Sequence, residues 1–238
     1  MTETFLDGRV KVAQPESGFR SGLDAVMLAA AVPATAGQSA LELGAGAGTA
    51  SLCLEARVPG IHVTGVEIDP SLAKLGQENA AANGAGARFA AADIFALPPE
   101  LKHDFDHVFA NPPFHGEGQA SPDPARAAAL MDDGKLADWL TLGLQRTVSG
   151  GFFTAILRAD RLNQALAALP HRGICAFPLW PRAGETPKRV IVQARKGSAA
   201  PFALLPGLVL HQSDGSWTSE SDAVLRRGGA LALSGARL

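Results

Sequence analysis

Only two cysteines occur in the chain, Cys53 and Cys175, both inside apolar segments and without the spacing of a metal site. Buried free thiols are expected from this, rather than a disulfide framework or a zinc centre. Excess charge is missing as well: a net charge of −2 gives no general pull toward nucleic acid, so a polyanionic partner would have to be met by a local basic patch. No charged amino-terminal region leads into an apolar signal segment, and no apolar run is long enough to cross a bilayer. A cytoplasmic location and no membrane partner are therefore expected. Low-complexity tracts are absent too, and the balance of 47% hydrophobic and 18% charged residues is that of an ordinary globular protein. At 238 residues the chain suits a single domain with a substantial core.

What is present is a repeated alternation. Residues 1–17 read as a short ribbon or hairpin around Gly8, outside the core, and residues 25–32 as an apolar helix stopped by Pro33. From residue 39 onward apolar runs at 40–43, 62–66, 88–91, 105–110, 151–157, 173–179 and 189–194 predict strands. Helical stretches at 49–57, 71–83, 135–148 and 161–169 separate them. Strand alternating with helix means an α/β fold, a mostly parallel sheet with helices on both faces. Ligands in such sheets sit outside the carboxyl ends of the strands, near the point where strand order reverses. Residues 198–238 form a carboxyl-terminal extension.

The first predicted strand of the sheet runs into Glu42-Leu43-Gly44-Ala45-Gly46-Ala47-Gly48. Glycines at alternate positions allow a tight turn and close approach of a ligand. Glu42, just ahead of them, disfavours a pyrophosphate and suits a positively charged ligand such as S-adenosylmethionine, which has an ammonium and a sulfonium. Glu67 ends the next strand, where an acid can bridge two ribose hydroxyls. Asp69, before Pro70, is expected to cap the following helix. After the third strand, Asp93 is placed to accept from an adenine amino group and Ile94 to cover a ring face.

The fourth strand stops at Asn111-Pro112-Pro113-Phe114. Two prolines leave backbone that accepts hydrogen bonds without donating them. Carbonyl oxygens, the Asn111 carboxamide and an aromatic ring are thereby gathered around a space for a flat group bearing an NH2. No metal is needed for such a site. The residues 115–134 that follow read as a lid or recognition element, and Arg126, Arg182, Lys188, Arg189, Arg195 and Lys196 as candidates for one basic rim.

Glu42, Gly44, Glu67, Asp93 and Asn111, in that order at four successive strand ends, resemble the class I S-adenosylmethionine-dependent methyltransferases. That resemblance implies a Rossmann-like seven-stranded sheet whose last strand is antiparallel. With Phe19-Arg20-Ser21-Gly22-Leu23-Asp24-Ala25 and Pro187-Lys188-Arg189-Val190, the pattern is similar to the bacterial tRNA (adenine-N6)-methyltransferases, which modify an adenine next to the anticodon of a valine tRNA. The resemblance implies that Asp24, Glu42, Gly44, Gly46, Gly48, Glu67, Asp93, Ile94 and Asn111 hold S-adenosylmethionine. It further implies that Asn111, Pro112 and Phe114 serve catalysis, and that Pro113, Phe114, Arg126, Lys188 and Arg189 meet a tRNA substrate. A methyltransferase of protein glutamine amides or small amines shares the same turn, and a non-catalytic cofactor- or RNA-binding module is the remaining alternative.

Overall fold

A computed structural model describes residues 1–16, 20–113, 135–231 and 233. Phe19, Phe114, Arg126 and the stretch 115–134 expected to form a lid lie outside the described residues. A hairpin of β1 (Thr2–Phe5) and β2 (Val10–Ala13) comes first, then α1 (Leu23–Ala31). The sheet and its helices follow as β3 (Ser39–Leu43), α2 (Thr49–Arg57), β4 (His62–Glu67), α3 (Pro70–Ala82), β5 (Arg88–Ala91) and β6 (Phe105–Ala110). The second half continues with α4 (Leu136–Gln145), β7 (Thr147–Arg158), α5 (Leu162–Ala168), β8 (Ile174–Trp180) and β9 (Arg189–Arg195). The extension contributes β10 (Ala203–Leu204), β11 (Leu208–Val209) and α6 (Ser219–Leu225).

Seven longer strands run in the order β8-β9-β7-β6-β3-β4-β5, and the two-residue strands β10 and β11 both add parallel to β8 at the edge. Among the described residues the sheet thus has nine strands, the expected seven plus two supplied by the extension. Only β9, the last of the seven, is antiparallel to its neighbours. Strand order reverses between β3 and β6, which pair with Leu43 opposite Ala110. Gly44 and Asn111 therefore leave the sheet side by side, on strands about 4.8 Å apart, at the switch point where the open-sheet rule places a ligand.

One aromatic ring closes the first half of the sheet. Phe89 of β5 lies so close to three glycines that an added Cβ would fall 2.5 Å from it at Gly48, 2.6 Å at Gly65 and 2.9 Å at Gly76. The start of α2, the middle of β4 and α3 are thus drawn onto a single side chain, and only glycine permits the approach. Cys53 and Cys175 are free and buried, as expected, and burial pushes their thiols up to about 12 and about 11.

The amino-terminal hairpin is the main departure from the sequence expectation. It forms, but Leu6, Val10 and Val12 are buried in the core rather than outside it. The reason is Asn79 on α3, itself 3% exposed. Its carboxamide accepts from Ala13 N–H at 2.8 Å and donates to the carbonyls of Ala13 and Ala47, both at 3.0 Å. Asn83, one turn on, makes a similar pair of bonds to Lys11. One buried side chain thereby ties the hairpin, α3 and the glycine turn together. Asn79→Ala is expected to cost about 2–4 kcal/mol in urea denaturation, because it strands buried backbone groups that each cost roughly 1–3 kcal/mol; an unchanged midpoint would show the tie to be incidental.

Candidate active site

The glycine turn hangs from the neighbouring strand. Gly44 and Ala45 N–H groups donate to the Val66 carbonyl at 2.8 and 3.0 Å, and Gly46 N–H donates to Glu67 Oε2 at 2.8 Å. Gly44, Gly46 and Gly48 have φ of 68°, 54° and 85°, a left-handed backbone that L side chains rarely adopt. A Cβ on Gly46 would meet nothing within 4 Å, so the crest of the turn is open to a ligand.

Glu67 sits beside that crest. Its Oε2 takes Gly46 N–H and its Oε1 takes Asp69 N–H at 3.0 Å. An ionised carboxylate has about four acceptor positions, so two remain for hydroxyl donors. Asp69 caps α3 through Ser71 N–H at 2.8 Å, as expected. Asp93 is exposed and turns one oxygen onto Phe95 N–H at 2.9 Å, leaving acceptor capacity for a ligand.

Two of the residues expected at the cofactor are buried. Glu42 is 3% exposed, and its Oε2 accepts from the backbone N–H of Ser51 at 2.9 Å and from the hydroxyl at 2.5 Å. It braces α2 from beneath the turn. Burial pushes its carboxyl up to about 8 against the pull of those two bonds, and the Glu67 charge adds to the rise. Ile94, expected to cover a ring face, is 6% exposed and packed in the core with Val66 and Leu97. The apolar surface at these strand ends comes instead from Ile68 and Phe95, which are 67% and 45% exposed.

Trp139 is a wall absent from the sequence expectations. It rises from α4, and its ring lies 2.7 Å from where a Cβ on Gly44 would be. Its edge meets Phe95 with ring centroids 6.4 Å apart at 88°. No motif links Trp139 to Gly44 or Phe95; the three meet only because α4 packs over the switch point.

Asn111 stands at the end of β6, half-buried, with Pro112 buried and Pro113 half-buried behind it. Its Oδ1 is buried and has no hydrogen-bond partner among the described residues. A buried carbonyl oxygen without a donor costs roughly 1–3 kcal/mol, and the two prolines supply no N–H to satisfy it. The site therefore holds an acceptor in want of a donor, next to the open glycine turn.

The basic rim is only partly assembled. Arg189 Nε donates to Asp24 Oδ2 at 2.7 Å, which joins the first turn of α1 to the start of β9. Lys188 is exposed beside it, and its carbonyl accepts from Ala159 N–H just beyond β7. Both are on the edge that carries Asn111. Arg195 and Lys196 are not. Because β9 runs antiparallel, Arg195 pairs with Phe152 at the far end of the β7–β9 ladder, and Lys196 reaches Asp104 at 3.8 Å. Arg182 is engaged by Glu185 at 3.3 Å.

Residues 21–135 match the family model described as "Methyltransferase small domain". A protein from Cronobacter sakazakii named tRNA1(Val) (adenine(37)-N6)-methyltransferase is 30% identical over 202 residues, which span 73% of this chain and 80% of that one. A protein of the same name from Porphyromonas gingivalis is 29% identical over 236 residues, 92% of each chain. Among solved structures, one from Agrobacterium tumefaciens described as a predicted O-methyltransferase superposes with a TM-score of 0.72 at 26% identity, covering 87% of this chain and 98% of that one.

The buried acid beneath the turn sets a pH dependence. With a folded value of about 8 against an ordinary value of 4.5, Glu42 binds its proton more tightly in the folded state. Its contribution to stability is full below the ordinary value and is lost as pH rises through about 8. Glu42→Gln is expected to remove that loss and to flatten the melting temperature across this window. A variant that keeps the wild-type slope would assign the slope to another group.

Proposed function

The chain belongs to the tRNA1(Val) (adenine(37)-N6)-methyltransferase family, and from that premise we propose that it methylates the N6 amino group of an adenine in tRNA. It is a methyltransferase, and its methyl donor is S-adenosylmethionine. The residues fit that donor: an open glycine crest, a strand-end carboxylate with acceptor capacity left, and exposed apolar side chains at the adjoining strand ends. We assign the donor to the turn at 44–48 with Glu67, Asp93, Ile68 and Phe95, and Trp139 to the wall beside it. When bound, the donor supplies a methyl group on a sulfonium sulfur; the N–C bond forms as the C–S bond breaks, and the proton released from nitrogen passes to solvent.

The observation that carries the reading is the unpartnered Asn111 Oδ1. An adenine amino group has two N–H donors and a lone pair delocalised into the ring. Asn111 Oδ1 accepts one N–H, and the Pro112 carbonyl is the candidate for the other. Held this way, the nitrogen presents its lone pair to an electrophile at the glycine turn. Orientation and fixed dipoles supply the rate enhancement, with no strong base required beforehand. A hydroxyl acceptor, as in an O-methyltransferase, has a single donor and matches this acceptor-rich turn less well. The family's RNA substrate favours a cytoplasmic place of action.

Asn111→Ala separates function from fold. It is expected to lower methyl incorporation into unmodified tRNA by about 10²–10³-fold, the scale of losing one positioned polar group. Folding stability should rise by roughly 1 kcal/mol, because the buried acceptor without a donor is gone. Nucleoside mass spectrometry for N6-methyladenosine and urea denaturation read the two effects. Full incorporation by the variant would sink the assignment.

A further inference from the structure

The carboxyl-terminal extension builds a groove of about 560 Å³ whose lining includes Gln212, Trp217, Ser219, Asp222, Arg226 and Arg227. Two guanidinium groups share one carboxylate there. Arg226 Nε lies 3.2 Å from Asp222 Oδ1 and Arg227 Nη1 lies 3.1 Å from Asp222 Oδ2. Both arginine side chains remain 60% or more exposed. The other acids nearby are turned onto their own neighbours: Asp214 accepts from Ser216 at 2.9 and 2.6 Å, and Glu220 from the Ser219 hydroxyl at 2.9 Å. Trp217 is fixed by stacking on His211, with centroids 4.2 Å apart. The lining of the groove thus combines two guanidinium groups with one carboxylate and a stacked indole, while the charged carboxylates of Asp214 and Glu220 stand outside the lining, each held by a neighbouring serine.

Its place in the fold gives that charge a use. β11 pairs with the carboxyl end of β8, Leu208 opposite Leu179 and Val209 opposite Trp180. Leu210 N–H and His211 N–H continue the contact onto the carbonyls of Trp180 and Pro181. Leu179 in turn faces Arg189 across the sheet. The extension is therefore anchored on the edge that carries Asn111, its strand β11 four strand spacings from β6, about 19 Å. A polynucleotide whose adenine enters the Asn111 turn is long enough to reach past β8.

We propose that the Arg226–Arg227 groove is a second contact for the RNA substrate and takes its phosphodiester backbone. The inference rests on the RNA reading given above. Arginine suits this ligand because its planar fork pairs with phosphate oxygens in a bidentate manner. A phosphate entering the groove would take the guanidinium donors left over by Asp222 and by the Ser219 carbonyl, which accepts from Arg227 Nη2 at 3.4 Å.

The test uses the full chain and unmodified tRNA. In the Arg226→Ala/Arg227→Ala variant, Kd and KM for tRNA are expected to rise about tenfold, and the slope of log Kd against log salt to fall by about one to two, as for one or two lost phosphate contacts. The kcat at saturating tRNA and the affinity for S-adenosylhomocysteine should not change. Asp222→Asn, which releases both guanidinium groups from the carboxylate, should tighten tRNA binding by a few-fold, and it keeps the question open to decision if the double variant folds poorly. Wild-type Kd, KM and salt slope in both variants overturn the proposal while leaving tRNA methylation intact. Absence of methylation of any tRNA by the wild-type chain, with S-adenosylhomocysteine still bound, overturns the underlying reading instead.

Discussion

The suspension of the glycine turn from β4 is the constraint on which the rest of the site depends. Three N–H groups of one strand's exit loop are spent on the end of the next strand, two on the Val66 carbonyl and one on the Glu67 carboxylate. That arrangement demands positive φ at Gly44, Gly46 and Gly48, and it brings the turn close to Trp139 and Phe89. A side chain at Gly44 or Gly48 would meet an aromatic ring within 2.7 Å. The glycines therefore serve two needs at once, backbone geometry and close packing, and the second is as strict as the first.

Buried polar groups around this turn divide into those that hold it and two without a hydrogen-bond partner among the described residues, the Thr49 hydroxyl at the start of α2 and the Asn111 carboxamide oxygen at the strand end. Glu42, Glu67 and Asn79 all have partners, and each links the turn to a different element: α2, β4 or the amino-terminal hairpin. Asn111 Oδ1 has none among the described residues. In a fold that satisfies its other strand-end acceptors, an orphaned carbonyl oxygen at the switch point is the exception that needs an explanation. On the function proposed above, a substrate amino group supplies it, and the cost of leaving the oxygen unpaired in the free protein becomes part of the preference for a donor-bearing ligand.

The order of strand and helix was legible in the sequence because periodicity and glycine punctuation are local signals. The motif residues at the ends of β3, β4, β5 and β6 were legible for the same reason, since a parallel sheet brings its strand ends to one side. What stayed hidden depends on long-range packing. Asn79 looks like any polar residue late in a helix, yet its position opposite Ala13 and Ala47 fixes the hairpin. Ile68 sits between two acids just past the strand predicted at 62–66 and carries no signal of its own, yet it ends up 67% exposed at the strand end. The side on which Glu42 points was likewise undetermined, because a carboxylate before a glycine turn can serve a ligand or a helix.

Antiparallel β9 accounts for the misplaced half of the basic rim. Arg189 and Arg195 are the two ends of one strand, and six residues at about 3.4 Å each carry the second roughly 20 Å from the first. Adjacency in sequence suggests a cluster that the strand pulls apart. The same reversal has a further consequence: it brings the start of β9, not its end, to the edge that carries Asn111, so that the sheet's carboxyl edge is extended past β7 by Arg189 and then by the end of β8. The half of the sheet from β3 to β5 holds the features that suit a cofactor, and the half from β6 to β8 carries the acceptor turn, the Arg189–Asp24 pair and the anchored extension. On the proposed reading, substrate contacts at the β8 edge are built on elements separate from the suspended turn, whose glycines are required by positive φ and close aromatic packing.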